Sequence, residues 1–199
     1  MFVMTVDQRG SRSDIDRVDD VLDRLAECRT VRPFERTAGD EIQAVLDDAA
    51  TTAQLTVDLA ADGHWSVGVG IGPVSLPLPP STRAGRGPAF ELARDAVEAA
   101  KNQRVPLAVR GTSPRWCTHA QTAARLLADV VGRRSPAGSE AVALVRSGMT
   151  QADAAEHLGI SPQAMSQRLR AAAWDVDADS YALVADLLTQ AADDPGMRP

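Results

Sequence analysis

The segment TQADAAEHLGISPQAMSQRLR, residues 150–170, predicts two short helices joined by a tight turn. Thr150 and Ser161 are residue types that cap helix N-termini, because their side-chain oxygens accept bonds from unpaired backbone N–H groups. Pro162 follows Ser161 in the first helical position, where the missing N–H costs nothing. Gly159 supplies the backbone freedom that the turn needs. The pattern therefore predicts a helix-turn-helix.

The second helix of this segment separates apolar from polar side chains. Ala164, Met165 and Leu169 recur at the spacing of a core-facing helical stripe. On the outer side, glutamine and arginine suit base edges in the major groove, while serine and arginine suit phosphate. We therefore predict double-stranded DNA as a partner. The predicted DNA-binding residues are Thr150, Ser161, Gln163, Ser166, Gln167, Arg168 and Arg170.

The whole segment resembles the helix-turn-helix of many bacterial regulators and that of the sigma-factor promoter-reading domain. The alternative is a helical hairpin that makes only protein contacts. No strand-rich wing follows the segment. Trp174 and the apolar stripe Tyr181, Val184, Leu187 and Leu188 instead predict a helix for packing or for dimerisation.

The charge of the chain is unusual for a DNA-binding protein. The net charge is −6, whereas attraction to phosphate supplies much of the affinity for DNA. Between residues 133 and 175, five arginines stand against four acidic residues, so this stretch is nearly neutral. We therefore expect a homodimer that uses a few well-placed contacts.

The first half alternates strand and helix patterns in the order βαββαβ, followed by one further helix and strand. Strands are predicted at 2–6, 31–37, 41–46, 66–74 and 105–109, and helices at 15–25, 48–61 and 88–102. This order favours an antiparallel sheet with helices on one face, the ferredoxin-like arrangement. Later helices are predicted at 118–131, 140–146, 151–158, 162–173 and 180–191, and disorder at 193–199.

The predicted fold class is therefore α+β, a ferredoxin-like βαββαβ sheet domain followed by an all-α helix-turn-helix domain. The sheet domain is expected at residues 1–111, a connecting helix and linker at 112–136, and the helix-turn-helix domain at 137–199. In SVGVGIGPV, residues 66–74, glycines alternate with apolar residues. Either another element approaches this backbone closely, or the strand is merely weakened by its glycines.

Two acidic residues fall at one edge of the predicted sheet. Asp7 ends the first strand and Asp40 lies at the tip of the hairpin, beside Gly39. Two carboxylates there suit Mg²⁺, which binds carboxylate oxygens together with substrate phosphates. The loop at 8–12 leads into a helix N-terminus, where backbone N–H groups favour phosphate. In the alternative interpretation, Asp7 caps a loop and Asp40 is an ordinary turn residue.

RTAGDEIQAVL, with VDQRGSR before it and VGVGIGPV and GRGPAFELARDAVEAA after it, resembles the SatD-like family over residues 1–111. The hairpin also resembles the class III nucleotide cyclases and, more weakly, the GGDEF diguanylate cyclases. The cyclase resemblance implies that Asp7 and Asp40 bind a metal–nucleotide complex. Arg94 matches the arginine of the Asn-x-x-x-Arg pair that stabilises the ribose and the transition state. Phe90 stands where that pair has its asparagine.

The departures from the cyclase pattern predict nucleotide binding without efficient cyclisation, which depends on positioned donors around developing charge. Ala38 and Ile42 likewise depart from the GGDEF pattern. The predicted nucleotide-binding residues are Asp7, Gln8, Arg9, Gly39, Asp40 and Arg94. The predicted metal ligands, for Mg²⁺ with a nucleoside triphosphate or another nucleotide, are Asp7 and Asp40.

These patterns together predict a transcriptional regulator whose N-terminal domain senses a nucleotide. The alternatives are an active metal-dependent nucleotidyl cyclase with a DNA-binding domain, and a dimerisation scaffold that senses nothing. No apolar run approaches the roughly 18 residues of a membrane span, and the N-terminus lacks a signal-peptide pattern. With only Cys28 and Cys117 present, we expect reduced thiols and a cytoplasmic protein without a membrane partner.

Overall fold

The computed structural model describes residues 1–11 and 13–194, with the backbone alone at position 178. The predicted disordered tail lies outside the described residues from position 195 onward. The described chain is a mixed α and β protein with a five-stranded sheet and several helices. Within it, no helix combines the length and the apolar character needed to cross a membrane.

Every predicted strand and helix is present, with bounds that differ from the predicted ones by up to four residues. The strands are β1 (Phe2–Gln8), β2 (Arg32–Ala38), β3 (Glu41–Leu46), β4 (Trp65–Ile71) and β5 (Leu107–Gly111). The helices are α1 (Val18–Leu25), α2 (Ala49–Asp62), α3 (Pro88–Ala100), α4 (Pro114–Gly132), α5 (Pro136–Arg146), α6 (Gln151–His157), α7 (Pro162–Ala171) and α8 (Asp177–Asp193).

The strands lie side by side in the order β2-β3-β1-β4-β5. β1 is central and runs antiparallel to β3 and β4, and β2 runs antiparallel to β3. β5 is parallel to β4, so the chain must cross over between them, and it does so through α3. The sheet is therefore mixed, and the expectation of an antiparallel sheet does not hold for β5.

The main hydrophobic core lies between one face of the sheet and helices α1, α2, α4 and α8. Alternate strand residues point to this face, as the two-residue period of a strand requires. Met4, Val6, Ile42, Val67 and Val69 are among its fully buried members. Aromatic side chains are scarce in the chain, and small and branched aliphatic residues fill most of this core.

Helix α3 lies on the opposite face of the sheet, so the expectation that all helices share one face is wrong for α3. Its backbone packs directly on two glycines of β4. A Cβ atom at Gly68 would lie 2.2 Å from the Val97 nitrogen, and one at Gly70 would lie 2.1 Å from the Ala89 oxygen. Of the two interpretations of the alternating glycines, the close approach of another element is therefore confirmed.

Side chains of α4 close the free edge of β5. The Arg125 guanidinium donates to the Leu107 carbonyl from Nε at 2.9 Å and from Nη2 at 2.7 Å. The Val109 N–H donates to Oε1 of Gln121 at 3.2 Å. These bonds occupy backbone groups that would otherwise pair with a strand of another chain, so this edge is protected against edge-to-edge association.

Helix α8 completes the first core. Val184 and Leu188 are buried in the main cluster with α2 and α4, whereas α5, α6 and α7 share a separate cluster. The sequence-based division placed α8 with the helix-turn-helix because it follows that segment in the chain. The apolar stripe of α8 was predicted to serve either packing or dimerisation, and its residues Val184 and Leu188 pack within the chain.

Candidate nucleic-acid interface and acidic groove

Helices α5, α6 and α7 form a small unit around their own apolar cluster. Met165 and Leu169 of α7 are buried against Ala154 and Ala155 of α6 and Val142 of α5. The two alanines let α7 approach α6 closely, as the small residue at this position predicts. The chain turns between α6 and α7 at Gly159, whose φ is +64°, a region that favours glycine. This packing fixes the orientation of the opposite, polar face of α7.

Both predicted helix caps are confirmed. The Thr150 hydroxyl accepts from the Asp153 N–H at 3.2 Å and begins α6. The Ser161 hydroxyl accepts from the Ala164 N–H at 3.2 Å and begins α7. Each cap satisfies one of the unpaired donors of a helix N-terminus. Thr150 also donates to the Asp153 carboxylate at 2.7 Å, so its hydroxyl has two structural partners.

The outer face of α7 presents four exposed polar side chains, and Arg168 lies half-buried at its edge. Within residues 1–11 and 13–194, none of these five side chains makes a hydrogen bond or an ion pair. They therefore keep their full hydrogen-bonding capacity for a partner. The four exposed residues are Gln163, Ser166, Gln167 and Arg170.

A buried ion-pair network joins the three-helix unit to the rest of the protein. The Asp177 carboxylate at the start of α8 accepts from Arg134 Nη2 at 2.6 Å and from Arg146 Nη2 at 2.7 Å. The Asp177 residue is 1% exposed, and the Arg134 side chain is 4% exposed. Arg134 also donates to the Ala172 carbonyl at 2.8 Å. The network therefore fixes how α5 and the end of α7 sit against α8.

The two predicted metal ligands, Asp7 and Asp40, line one groove of about 380 Å³ at the end of β1 and the tip of the hairpin. The Lys101 ammonium lies in the same groove, 3.2 Å from an Asp7 carboxylate oxygen. Burial raises the pKa of Asp7 although Lys101 acts against it, and the nearby charges of Asp40 and Glu41 raise it further. The groove thus combines two carboxylates with one cation.

A divalent cation fits the chemistry of this donor set, since hard cations prefer carboxylate oxygens. Asp7 and Asp40 would hold it, and Lys101 would have to give up its contact with Asp7. Neither in this groove nor elsewhere in the described part of the chain is a group of three or more histidine, cysteine, aspartate or glutamate residues arranged to hold a metal ion, so two carboxylates are the whole acidic donor set here.

The remaining predicted nucleotide-binding residues have different surroundings. The Gln8 side chain is buried at the groove wall, where it donates to the Ile15 carbonyl at 2.6 Å and accepts from the Arg17 N–H at 2.9 Å. Its amide therefore shapes the loop before α1. Arg9 is exposed and contacts the Gly63 carbonyl at 3.4 Å. Gly39 forms the hairpin turn with φ +58°.

Arg94 lines a second groove of about 260 Å³, together with Glu41, Arg83 and Arg86. This groove is next to the first, because Glu41 follows Asp40 and pairs with Asp7 across the sheet. The structure therefore places Arg94 beside the acidic groove and among other arginines. Phe90, at the position of the cyclase asparagine, is buried, and its ring packs against Gly85.

Three features of these sites were not predicted from the sequence. Lys101 follows the last turn of α3, and nothing in its local pattern indicates that it meets Asp7 from β1. The Asp177 network joins residues more than 30 positions apart. Glu35 on β2 holds the loop before α3 by accepting from Ser81, Thr82 and the Arg83 N–H. Each depends on tertiary contacts that no sequence motif marks.

Comparison with known proteins gives no relative. No family model, no curated protein and no solved structure matches this chain.

Proposed function

We propose that this protein is a DNA-binding transcriptional regulator that reads double-stranded DNA with α7. The observation that carries the proposal is the outer face of α7, where Gln163, Ser166, Gln167 and Arg170 are exposed and have no partners in the described chain. Amide and guanidinium groups on a rigidly packed helix suit base edges in the major groove. A helix that docks in the major groove needs a polar face without internal partners, held in place by a buried apolar face.

The remaining predicted contacts suit the DNA backbone. Thr150 and Ser161 stand at the N-termini of α6 and α7, where backbone N–H groups favour phosphate. Arg168, half-buried at the edge of α7, would contact phosphate as well. The protein carries few basic residues near this face, so we propose that a homodimer doubles the number of contacts.

Titration of DNA tests this proposal. A fluorescent duplex enriched from a random pool by the wild-type protein is titrated and followed by anisotropy. Gln167→Ala should weaken binding by about fivefold or more, because a lost base contact costs about 1–3 kcal/mol. Gln190→Ala, an equal change at an exposed site on α8, should leave the affinity unchanged. Equal affinities for wild type and Gln167→Ala would remove α7 from the interface.

We further propose that the sheet domain binds a nucleotide with Mg²⁺ in the acidic groove. Asp7 and Asp40 would hold the ion, and Arg9, Arg94 and the backbone around Gly39 would contact the nucleotide. The neighbouring arginines Arg83 and Arg86 add positive charge beside the carboxylates, which suits an anionic ligand carrying a cation. In this proposal, ligand binding changes DNA affinity by favouring one arrangement of the dimer.

Thermal unfolding with ATP, GTP and cyclic dinucleotides, each with and without Mg²⁺, tests the nucleotide proposal. A ligand at about one hundred times its dissociation constant adds about 2.7 kcal/mol to the folded state. Asp40→Asn should abolish the shift in melting temperature, whereas Asp47→Asn, at an exposed position beyond the opposite end of β3, should retain it. If none of these nucleotides shifts the melting temperature, the sheet domain is a scaffold.

We also propose that residues 1–111 form a SatD-like, ferredoxin-like domain. The order β2-β3-β1-β4 of four antiparallel strands, with α1 and α2 on one face, supports that interpretation. In that interpretation, β5 extends the four-stranded sheet at its β4 edge, and α3 covers the face opposite to α1 and α2. α5–α7 are the helix-turn-helix unit, joined to the first domain by α4 and covered by α8.

A nucleotidyl cyclase is the second candidate, since Asp7 and Asp40 line one groove as a metal–nucleotide site requires. Against it stands the buried Phe90 ring, which offers no hydrogen-bond donor to developing charge. Incubation with ATP or GTP and Mg²⁺ or Mn²⁺ decides between the two. The regulator proposal predicts no cyclic product, whereas turnover that is lost in Asp40→Asn would establish the enzyme.

A further inference from the structure

A cavity of about 520 Å³ opens between the sheet domain and the helix-turn-helix unit, away from both sites described above. Helices α2 and α8 form most of its wall, and the end of α5 and the turn before α8 close it. Its volume falls within the range of small-molecule sites, which occur preferentially where two packed units meet. The residues that matter here are Gln54, Arg146, Trp174, Tyr181 and Ala182.

The walls of this cavity are mainly apolar and aromatic. Ala182, with Ala50 and Ala185, leaves open space between α2 and α8 because alanine projects only a methyl group. The rings of Trp174 and Tyr181 both border the space, and each is half-buried. Flat aromatic surfaces of this kind favour a planar aromatic ligand, through offset or edge-to-face contacts.

Two polar side chains that line the cavity have hydrogen-bond donors without a hydrogen-bond partner among the described residues. Arg146 bonds Asp177 through Nε and Nη2, but its Nη1 lies 3.8 Å from Asp58, too far for a hydrogen bond. Its guanidinium is held in place over the Tyr181 ring, 4.6 Å from the centroid. The exposed Gln54 amide makes no hydrogen bond within the described residues. Both residues line the cavity and carry N–H groups that can donate to an acceptor oxygen of a ligand.

We propose that this cavity is a binding site for a small planar aromatic molecule that carries an acceptor oxygen. The aromatic body lies against Trp174 and Tyr181, and the oxygen accepts from Arg146 Nη1 and Gln54. Trp174 packs on the cluster of α5–α7, whereas Tyr181 belongs to the core of the sheet domain. A ligand therefore contacts both units and favours one seating of the helix-turn-helix against the sheet domain.

The binding site does not depend on the proposed function. Only its consequence for DNA affinity rests on the proposed DNA binding by α7, and the two are measured separately.

The probe for this site is 8-anilinonaphthalene-1-sulfonate, an aromatic anion with acceptor oxygens that fluoresces in apolar surroundings. The full-length wild-type protein should bind it saturably at one site and transfer energy from Trp174, a transfer that Trp174→Phe lowers. Ala182→Phe places a ring in the cavity and should weaken binding about tenfold or more. Ala192→Phe, an equal change at an exposed site of the same helix, should leave binding unchanged.

Near-ultraviolet circular dichroism of each variant distinguishes site binding from dye uptake by loosened packing. Equal dye affinity of natively folded Ala182→Phe and wild type would overturn the proposal, as would uptake without saturation. If Ala182→Phe loses its native spectrum, Gln54→Ala replaces it, with an expected loss of affinity of about fivefold.

A matched pair of competitors tests the acceptor. 2-Naphthoate should displace the dye, whereas 2-naphthylmethylammonium, with the same ring system substituted at the same position but with a donor in place of the acceptor, should not. Equal displacement by both would overturn the assigned roles of Arg146 and Gln54.

Anisotropy titrations of the enriched duplex with and without 2-naphthoate then measure the coupling between ligand binding in the cavity and DNA binding. If the dye binds but 2-naphthoate leaves the DNA affinity unchanged, only the proposed effect on DNA affinity is refuted. If the protein does not bind DNA at all, the proposed binding site is unaffected.

Discussion

Replacing Asp177 by asparagine removes the only carboxylate, among the described residues, that meets both Arg134 and Arg146 within hydrogen-bond distance. The residue is 1% exposed, and the charged hydrogen bonds to it are 2.6–2.9 Å long. The asparagine side chain has the same shape but no charge, and its NH₂ group turns a donor toward a guanidinium. Arg134, with its side chain 4% exposed, is then a buried cation with no carboxylate within hydrogen-bond distance among the described residues.

Breaking a buried ion pair by removing one partner costs about 3–5 kcal/mol. For a chain of this length, 1 kcal/mol shifts the melting temperature by about 2–4 °C, so Asp177→Asn should lower it by about 6–20 °C. The assay is urea unfolding with thermal unfolding as a check. Asp179→Asn controls for the loss of a negative charge near the N-terminus of α8, because Asp179 is exposed in the same first turn.

A loss below about 1 kcal/mol in Asp177→Asn would refute this reasoning, since exposed ion pairs contribute no more than that. The double variant Arg134→Met with Asp177→Leu removes both buried charges. It should be more stable than Asp177→Asn, because apolar groups of similar size replace a buried pair at little cost.

Two further predictions follow from the packing and from Glu35. Gly70→Ala should destabilise the protein by about 1–3 kcal/mol or more, since the added Cβ lies 2.1 Å from the Ala89 oxygen, whereas Gly72→Ala, with 3.7 Å to its nearest neighbour, should be tolerated in urea unfolding. Burial opposes ionisation of Glu35, but hydrogen bonds from the loop lower its pKa below 4.5. Its contribution to stability is therefore present above that pH and is lost as the pH falls through the lowered pKa. Glu35→Gln should remove this part of the acid dependence of the urea midpoint, and an unchanged pH profile would contradict the assignment.

Helices α6 and α7 and the turn between them were largely predictable because their signals are local. The caps at Thr150 and Ser161 and the turn at Gly159 are set by side chains within a few residues of the backbone groups they serve. The apolar stripe with Met165 and Leu169 indicates which face of α7 is buried, and hence which face is exposed. Strand and hairpin positions in the first half were predictable for the same reason.

Features that depend on chain topology were not predictable. The glycines of β4 indicated a close approach, but only the fold identifies α3 as the approaching element and places it on the other face of the sheet. The apolar stripe of α8 was compatible with packing or with dimerisation, because periodicity gives a face and not its partner. The contact of Lys101 with Asp7 likewise requires the crossover from β4 to β5.

Selection of DNA from a pool of random duplexes tests the central claim most directly. The wild-type protein should enrich one motif, arranged as two half-sites about 10 base pairs or a multiple apart, as expected for a homodimer. The double variant Gln163→Ala with Gln167→Ala should lose the preference at the bases these residues contact. Failure of the wild-type protein to enrich any motif, or enrichment of the same motif by the double variant, would contradict the assignment of α7 as the DNA-reading helix.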